Sequence, residues 1–268
     1  MHYIVNKIIP KKLKKKIRFF YHSKIEQHFE KIKFFGCKLN NNNKYIDKIR
    51  NKDGLEIGGP SFFFRNFLKV YKNINSLDNI NFKSKTIWRN NNNKTSFLWN
   101  SNKNPGKEMI SCSTNISFIN NESYDFILSS HQLEHVANPI KALFEFRRIL
   151  KKGGILILVL PNFKYNFDHK REVTTFNHIL KDFENNIGED DKTHLNEVLS
   201  LTDFKNNPTE YETFKKLAQD NYNNRVIHHH VFDRNLVNEI CNFVNFKVIL
   251  SNDIKKKFPS FVFLCEKN

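Results

Sequence analysis

Residues 139–160 restrict the fold more than any other stretch of this chain. Apolar residues recur at helical spacing from Pro139 to Leu150, Lys151-Lys152-Gly153-Gly154 follow, and Ile155 to Leu160 is an unbroken apolar run. This pattern predicts an amphipathic helix that ends in cations and glycine, followed by a strand buried on both faces. Such a helix–strand unit is typical of a sheet covered by helices, so we predict an α/β fold.

Other segments repeat the alternation of strands and helices. Strands are predicted at 54–57, 71–77, 109–113, 124–130, 246–250 and 260–265. The last two follow a predicted helix at 233–243 and form a C-terminal hairpin. The alternation before them implies right-handed βαβ units and a mostly parallel sheet. Residues 164–225 are polar and helical in pattern, and we expect them to form a helical insertion over one end of the sheet.

The first fifty residues carry most of the net positive charge. They hold fourteen Lys and Arg against three acidic residues, in a chain whose formal net charge is +17. We predict a basic helical appendage at 1–50, followed by one domain at 51–268. The simpler interpretation of the appendage is a solvated helical cap. Contact with a membrane surface or with nucleic acid is the alternative, although the rest of the chain is only mildly basic.

Composition argues against several classes of protein. The four cysteines, Cys37, Cys112, Cys241 and Cys265, form no C-x-x-C pair, which excludes a zinc ribbon and disfavours a disulfide framework. The longest apolar run is far shorter than the ~20 residues of a membrane span. No signal peptide is readable at the N-terminus. These features predict a cytoplasmic protein, and nothing in the sequence indicates an oligomeric state.

Two glycines mark a candidate ligand-binding turn. Gly58 and Gly59 directly follow the first predicted strand, which contains Glu56, and Asp78 lies 22 residues after that glutamate. A tight glycine turn lets the backbone approach a nucleotide-like ligand, and an acid at the tip of the second strand suits ribose hydroxyls. An ordinary turn and a surface aspartate are the alternative, because Phe62 stands near the place where a third glycine would fall.

The order of the motifs is more specific than any one of them. Along the chain come Glu56-Ile57-Gly58-Gly59-Pro60, Asp78, the segment 124–136 with its H-Q-L-E-H run, the segment 148–154 and the terminal hairpin. This order resembles class I S-adenosylmethionine-dependent methyltransferases over roughly 53–162 and 228–266. The resemblance implies a Rossmann-like, seven-stranded, mostly parallel sheet with an antiparallel C-terminal hairpin, and S-adenosylmethionine as the cofactor.

Within that family, the chain is similar to methyltransferases of glycan or polysaccharide biosynthesis. The similarity lies in the patterns L-E-I-G-x-P and H-x-L-E-H and in the segments 167–175 and 228–232. It implies a small-molecule or glycan acceptor. The cofactor residues that the family resemblance implies are Glu56, Gly58, Gly59, Asp78, Ser113 and Ser130. The glycines would admit the methionine moiety, the glutamate would hold the turn or meet the ammonium group, and the aspartate would bind the ribose. Ser113 is a candidate for adenine contact because 111–113 lacks the acid that many relatives carry there.

Histidines are the candidates for acceptor chemistry. A sugar hydroxyl has a high pKa, so its methylation calls for a general base or a metal ion. His131 follows the carboxyl end of the strand at 124–130, while His228 and His230 would share one face if they lay on a strand. We therefore predict these three as catalytic residues. A His-x-His pair is also half of a metal site, but packed histidines are more frequent, and we predict no metal.

Acceptor-binding residues are predicted in two places. Glu134 and His135 lie within one helical turn of His131, although a capping Glu and a packed His are the simpler interpretation. Asp168, His169 and Arg171 follow the end of the strand at 155–160, and an arginine suits a carboxylate or phosphate. We predict an O-methyltransferase acting on a sugar hydroxyl. A nucleic-acid methyltransferase that uses the basic arm, and a non-catalytic methyltransferase-like module that binds partners, are the alternatives.

Overall fold

The computed structural model describes residues 42–86, 95–255 and 258–268. Residues 1–41 of the predicted basic appendage lie outside these ranges. The strands of the described residues are β1 (Asp53–Ile57), β2 (Ser76–Asn81), β3 (Ser96–Phe97), β4 (Gly106–Ile110), β5 (Tyr124–Ser130), β6 (Leu150–Pro161), β7 (Phe246–Ile254) and β8 (Ser260–Lys267). The α-helices are α1 (Asn42–Ile49), α2 (Pro139–Ile149), α3 (Phe176–Glu184), α4 (Leu195–Leu201), α5 (Tyr211–Gln219), α6 (Asn221–Asn224) and α7 (Arg234–Phe243).

The strands form one mostly parallel sheet. Its order within the described part of the chain is β3-β4-β2-β1-β5-β6-β8-β7. β4, β2, β1, β5 and β6 run parallel, whereas β8 is antiparallel to both β6 and β7. The predicted α/β fold with a C-terminal antiparallel hairpin is therefore confirmed. The sheet has one strand more than the seven that the resemblance implied, because the two residues of β3 pair with the edge of β4.

The helix–strand unit at 139–160 lies at the centre of the fold. The side chain of Asn138 accepts a hydrogen bond from the backbone N–H of Lys141 and so caps α2, with Pro139 in its first turn. Ile140, Leu143 and Phe146 of α2 are at most 1 % exposed. β6 is buried from residue 154 to 160 and lies between β5 and β8. The predictions for this helix and for the buried strand at 155–160 are confirmed. The expectation that Lys151-Lys152-Gly153-Gly154 end the helix is wrong, because α2 ends at Ile149 and these four residues belong to β6.

The prediction of the second strand is wrong. Val70, Tyr71, Ile74 and Leu77 are all buried, and this spacing is helical rather than alternating. The structure accordingly has a 3₁₀ turn at Val70–Lys72 and starts β2 at Ser76. The third predicted strand is also displaced, since β4 ends at Ile110.

The segment between β6 and α7 contains the helices α3 to α6. Part of it forms a small hydrophobic cluster of its own, in which Val198, Phe214 and Ile227 are buried. No helix in the described ranges has the length and apolar character needed to cross a membrane.

Candidate functional site

A cavity of about 450 Å³ opens at the carboxyl ends of the parallel strands. In an open α/β sheet this edge is where ligands bind. The loops after β1, β2, β4, β5 and β6 contribute to its wall, together with the segment 166–228 and the β7–β8 connection. The residues that line it include Gly58, Asn81, Phe82, Ser113, Ser130, His131, Gln132, Glu134, His135, Phe167, Arg225, His228 and Phe258.

The glycine turn after β1 borders this cavity through Gly58. Gly58 has a positive φ of 79°, which favours glycine. Gly59 lies behind it, and its backbone N–H donates a hydrogen bond to Oδ1 of Asn79 at 2.8 Å. A Cβ on Gly59 would lie 2.5 Å from the carboxyl group of Glu56 and 2.8 Å from Oδ1 of Asn79. Both glycines are thus required by the geometry, but only Gly58 lies on the cavity wall.

Glu56 stabilises the turn through two hydrogen bonds. Its Oε1 accepts a hydrogen bond from the backbone N–H of Ser61 at 2.9 Å, and its Oε2 accepts one from the Tyr71 hydroxyl at 2.5 Å. Burial raises the pKa of this carboxyl to about 7, even though the bonds from Tyr71 and Ser61 favour its ionised form. Glu56 is not among the described residues that line the cavity, so of its two predicted roles the geometry favours holding the turn.

Asp78 does not occupy the tip of β2, where we predicted it. It is the third residue of that strand, and its carboxylate accepts hydrogen bonds from the backbone N–H of Lys107 and from the Tyr124 hydroxyl. The cause is the misplaced second strand. Asn81 and Phe82 occupy the carboxyl end of β2 instead, and both line the cavity. Sequence reasoning missed these two residues, although correct strand bounds would have identified them.

The loop after β4 and the segment after β5 meet in the cavity wall. Nε2 of Gln132 donates a hydrogen bond to Oγ of Ser113 at 3.1 Å, and Ser130 lies beside His131. The guanidinium of Arg225 lies over the ring of Phe82 at 5.1 Å and forms an ion pair with Glu189. The structure therefore places both predicted serines at the cavity. The sequence carried no pattern that pointed to Gln132 or Arg225.

His131 lines the cavity, but its ring is held by protein groups. Nδ1 lies 3.1 Å from Oγ of Ser130, and Nε2 lies 3.3 Å from Oγ of Ser260. Phe258 packs against the ring edge to face at 4.8 Å. Burial, with a smaller contribution from the charge of His228, lowers the pKa of His131 to about 3. A ring with so low a pKa, and with both nitrogens in contact with serine hydroxyls, is a poor general base.

His228 has the environment of a general base. Its Nδ1 lies 2.5 Å from Oδ2 of Asp168, which leaves Nε2 for the cavity that the residue lines. Burial opposes protonation of the ring, but the charges of Asp168 and Glu134 outweigh it, so the pKa of His228 is raised. Asp168, which we predicted as an acceptor-binding residue, instead orients the histidine.

Arg171 holds the segment that carries His228. Its side chain is 1 % exposed, with Nη1 3.2 Å from Oδ1 of Asp168 and 2.8 Å from the carbonyl oxygen of His228. It also donates to the carbonyl of His229 and to Glu197. These four partners occupy the guanidinium, so the prediction that Arg171 binds an acceptor carboxylate or phosphate is not supported by its position.

The segment 228–230 is not a strand, so the expectation that its alternate histidines share one face is wrong. His230 is buried and is not one of the described residues on the cavity wall; its Nε2 lies 3.2 Å from the carbonyl oxygen of Ala137. His169, also predicted at the acceptor, is not among the described residues that line the cavity, and its Nδ1 lies 3.0 Å from the carbonyl oxygen of Asn166.

Glu134 and His135 line the cavity beside His228. Both carboxylate oxygens of Glu134 are buried without a hydrogen-bond partner among the described residues. Burial raises the pKa of this carboxyl to about 7, even though the charge of His228 acts to lower it. The ring of His135 packs edge to face on that of His228 at 4.6 Å. One ligand atom from each of the three lies within 4.8 Å of the others, a spacing that also permits a metal ion.

Comparisons with known proteins agree with this architecture. A family model described as a methyltransferase domain matches residues 39–250. The search of curated proteins finds no significant match. A SAM-dependent methyltransferase structure from Methanosarcina mazei is 16 % identical, with a TM-score of 0.50, and the match covers 86 % of this chain and 99 % of that one.

Two further solved structures share the fold. A methyltransferase from Mesorhizobium loti, described as S-adenosylmethionine dependent, is 8 % identical with a TM-score of 0.51, over 85 % of this chain and 96 % of that one. A Haloferax volcanii complex of a methyltransferase with the Trm112 activator gives 9 % identity and a TM-score of 0.50, over 92 % and 95 %. Identities this low show similarity of fold alone.

Proposed function

The chain belongs to the methyltransferase-domain family, and from this premise we propose that it transfers a methyl group from S-adenosylmethionine to a sugar hydroxyl. The methyl donor is S-adenosylmethionine. The observation that carries the finer proposal is His228, which is paired with Asp168 and lines the cavity that the Gly58 turn also borders. One cavity therefore holds both a nucleotide-type turn and a candidate general base.

The described residues fit the methyl donor. The cavity volume of about 450 Å³ is within the ~300–1,000 Å³ usual for small-molecule sites. Gly58 presents backbone without a side chain, and the ring of Phe82 offers an aromatic surface at the end of β2. Asn81, Ser113 and Gln132 supply polar groups along the same wall. The donor, when bound, supplies an activated methyl group on a positively charged sulfur.

His228 is the group that would accept the acceptor's proton. In the transfer, the hydroxyl oxygen forms a bond to the methyl carbon as the carbon–sulfur bond breaks. The hydroxyl proton passes to Nε2 of His228, while Asp168 holds Nδ1–H and stabilises the positive charge that the ring gains. Arg171 fixes both partners through the carbonyl of His228 and the carboxylate of Asp168.

The composition of the wall supports a neutral, hydroxyl-bearing acceptor. Phe167 and Phe258 offer aromatic faces, and the unpartnered carboxylate of Glu134 can accept hydrogen bonds from hydroxyl groups. Arg225 is the one Lys or Arg among the described lining residues, and it is paired with Glu189. An acceptor with several phosphates would find little positive charge here.

The test has two stages that separate binding from turnover. Calorimetry with S-adenosylhomocysteine measures the donor site without an acceptor. Labelled S-adenosylmethionine is then incubated with a panel of neutral oligosaccharides, with nucleotide sugars as the phosphate-bearing comparison, and methylated products are identified by mass spectrometry. We expect micromolar binding and methylation of at least one sugar hydroxyl. Asp168→Asn and His228→Gln should reduce turnover by about 10²–10⁴-fold and leave donor affinity nearly unchanged.

Asp47→Asn is the matched control for the carboxylate change. Asp47 lies on α1 with its side chain 62 % exposed and paired with Arg50, so this variant should keep full activity. Donor binding without turnover on any acceptor would favour a non-catalytic module. Full turnover by His228→Gln would refute the role of His228 as base.

A further inference from the structure

Four side chains outside the cavity converge on one point between the insertion and the segment 228–230. His178 and Asp182 lie one turn apart on α3, His194 precedes α4, and His230 lies in the segment before α7. One ligand atom from each lies within 4.8 Å of all the others. His194 and His230 are buried, while His178 and Asp182 are partly buried.

Three of the six distances between these atoms can be compared with the edges of a tetrahedral metal site. Nε2 of His178 lies 3.2 Å from Nε2 of His194 and 3.4 Å from Oδ2 of Asp182. The same Oδ2 lies 3.6 Å from Nε2 of His230. A tetrahedron with metal–ligand bonds of about 2.0–2.1 Å has edges of about 3.3–3.4 Å. The three measured edges fall close to this value.

The chemistry of the cluster also favours a cation. Oδ2 of Asp182 is buried and has no hydrogen-bond partner among the described residues. His194 and His230 are buried, and their imidazole nitrogens are ligands that a metal ion accepts. A bound ion would replace the contact between Nε2 of His230 and the carbonyl oxygen of Ala137.

A second layer of groups orients the ligands. The Glu197 carboxylate lies 3.7 Å from Nδ1 of His194, the nitrogen that faces away from the cluster. Asn138 binds the backbone carbonyl of Asp182, and Thr175 caps α3 at His178. Carboxylates and carbonyls behind metal-bound histidines commonly fix the ring and its tautomer.

We propose that His178, Asp182, His194 and His230 bind one zinc ion. Three imidazoles and a carboxylate are ligands that Zn²⁺ accepts, and four protein ligands leave no open position, as in structural sites. The ion joins α3 and the start of α4 to the segment 228–230. It therefore fixes the backbone two residues from His228 without itself touching the cavity. This site replaces our expectation that the chain uses no metal.

The test measures metal in the full chain purified without chelators or an affinity tag that binds metal. Elemental analysis should find about one zinc per chain. After chelation and reconstitution with cobalt(II), the protein should show the intense visible absorption of tetrahedral cobalt. His178→Ala and Asp182→Asn should abolish both results, and His178→Ala should fold because its side chain is 44 % exposed.

Glu134→Gln distinguishes this site from the group of potential ligands in the cavity. Glu134 belongs to the cavity group with His135 and His228, so its variant should keep the zinc and the cobalt spectrum. Wild-type protein that contains no zinc after growth in zinc-supplemented medium, and takes up no cobalt, would overturn the proposal. Loss of metal in Glu134→Gln with retention in His178→Ala would overturn it as well, because the ion would then lie in the cavity.

Discussion

Alanine at Gly58 tests the cofactor site with a control built into the same chain. Gly58 and Gly153 both have positive φ, 79° and 69°. A Cβ on Gly58 would meet only Gln132, at 3.5 Å, and one on Gly153 would meet nothing within 4 Å. Both substitutions therefore cost backbone strain of about 1–2 kcal/mol and little else. Only Gly58 lies on the described cavity wall.

The two variants should lose similar stability and differ in binding. For a domain of this size, 1–2 kcal/mol lowers Tm by about 2–8 °C. Gly58→Ala also adds a methyl group to the cavity wall, which should weaken S-adenosylhomocysteine binding by about tenfold or more, or about 1.4 kcal/mol. Gly153→Ala should bind normally.

Gly59→Ala extends the comparison to a glycine required by close approach. Its Cβ would lie 2.5 Å from the Glu56 carboxyl, so Glu56 and Asn79 must move and their buried hydrogen bonds must break. We expect a loss of about 2–4 kcal/mol in the free energy of unfolding. Calorimetry and thermal unfolding measure all three variants. The reasoning is refuted if Gly58→Ala loses as much stability as Gly153→Ala but binds S-adenosylhomocysteine with unchanged affinity.

Three further changes concern the acceptor side. Asp168→Asn removes the charge that raises the pKa of His228, so the acidic limb of the kcat/KM pH profile should move to lower pH; an unmoved limb would assign it to another group. Arg171→Met leaves the buried Asp168 carboxylate without one partner and should cost about 3–5 kcal/mol in urea unfolding. Glu134 has a pKa raised from 4.5 to about 7, so the folded state holds its proton more tightly and this stability is lost as pH rises through that range. Glu134→Gln should therefore gain stability over the wild type by up to about 3 kcal/mol between those pH values, and parallel pH curves would contradict the assignment.

Helices and strands whose apolar residues recur with an unambiguous period could be predicted from the sequence. β5 matches its prediction residue for residue, and α2 and β6 have apolar patterns that fit only one period each. The failure at 70–77 has a simple cause. That stretch is short, and its buried residues support the 3₁₀ turn first and then the start of β2. Displacement of one strand by a few residues was sufficient to give Asp78 the wrong role.

The site was predictable where it depends on chain order and not where it depends on long-range contacts. Gly58, Ser130 and His131 follow strand ends, so their place at the cavity follows from the fold class. The pairing of His228 with Asp168 spans sixty residues of chain with no regular pattern between them. No local pattern distinguishes a histidine held by Asp168 from one held by serines, yet this difference decides which ring we propose as the base.

The segment 228–230 shows why three adjacent histidines take three different roles. It is an extended loop whose carbonyls at His228 and His229 are held by Arg171. His228 faces the cavity, Nε2 of His229 lies 3.2 Å from Nδ2 of Asn221, and His230 joins the proposed zinc site.

Removing the zinc would free His230 but leave Arg171 in place. If the ion only stabilises the insertion, its loss should lower Tm and leave the pH profile of turnover unchanged. If the ion also positions His228, its loss should reduce turnover while the affinity for the methyl donor stays constant. Only His229 lies between the ligand and the base, and Arg171 holds the carbonyl groups of His228 and His229. We therefore expect an unchanged pH profile at low temperature and reduced turnover as the insertion loosens on heating.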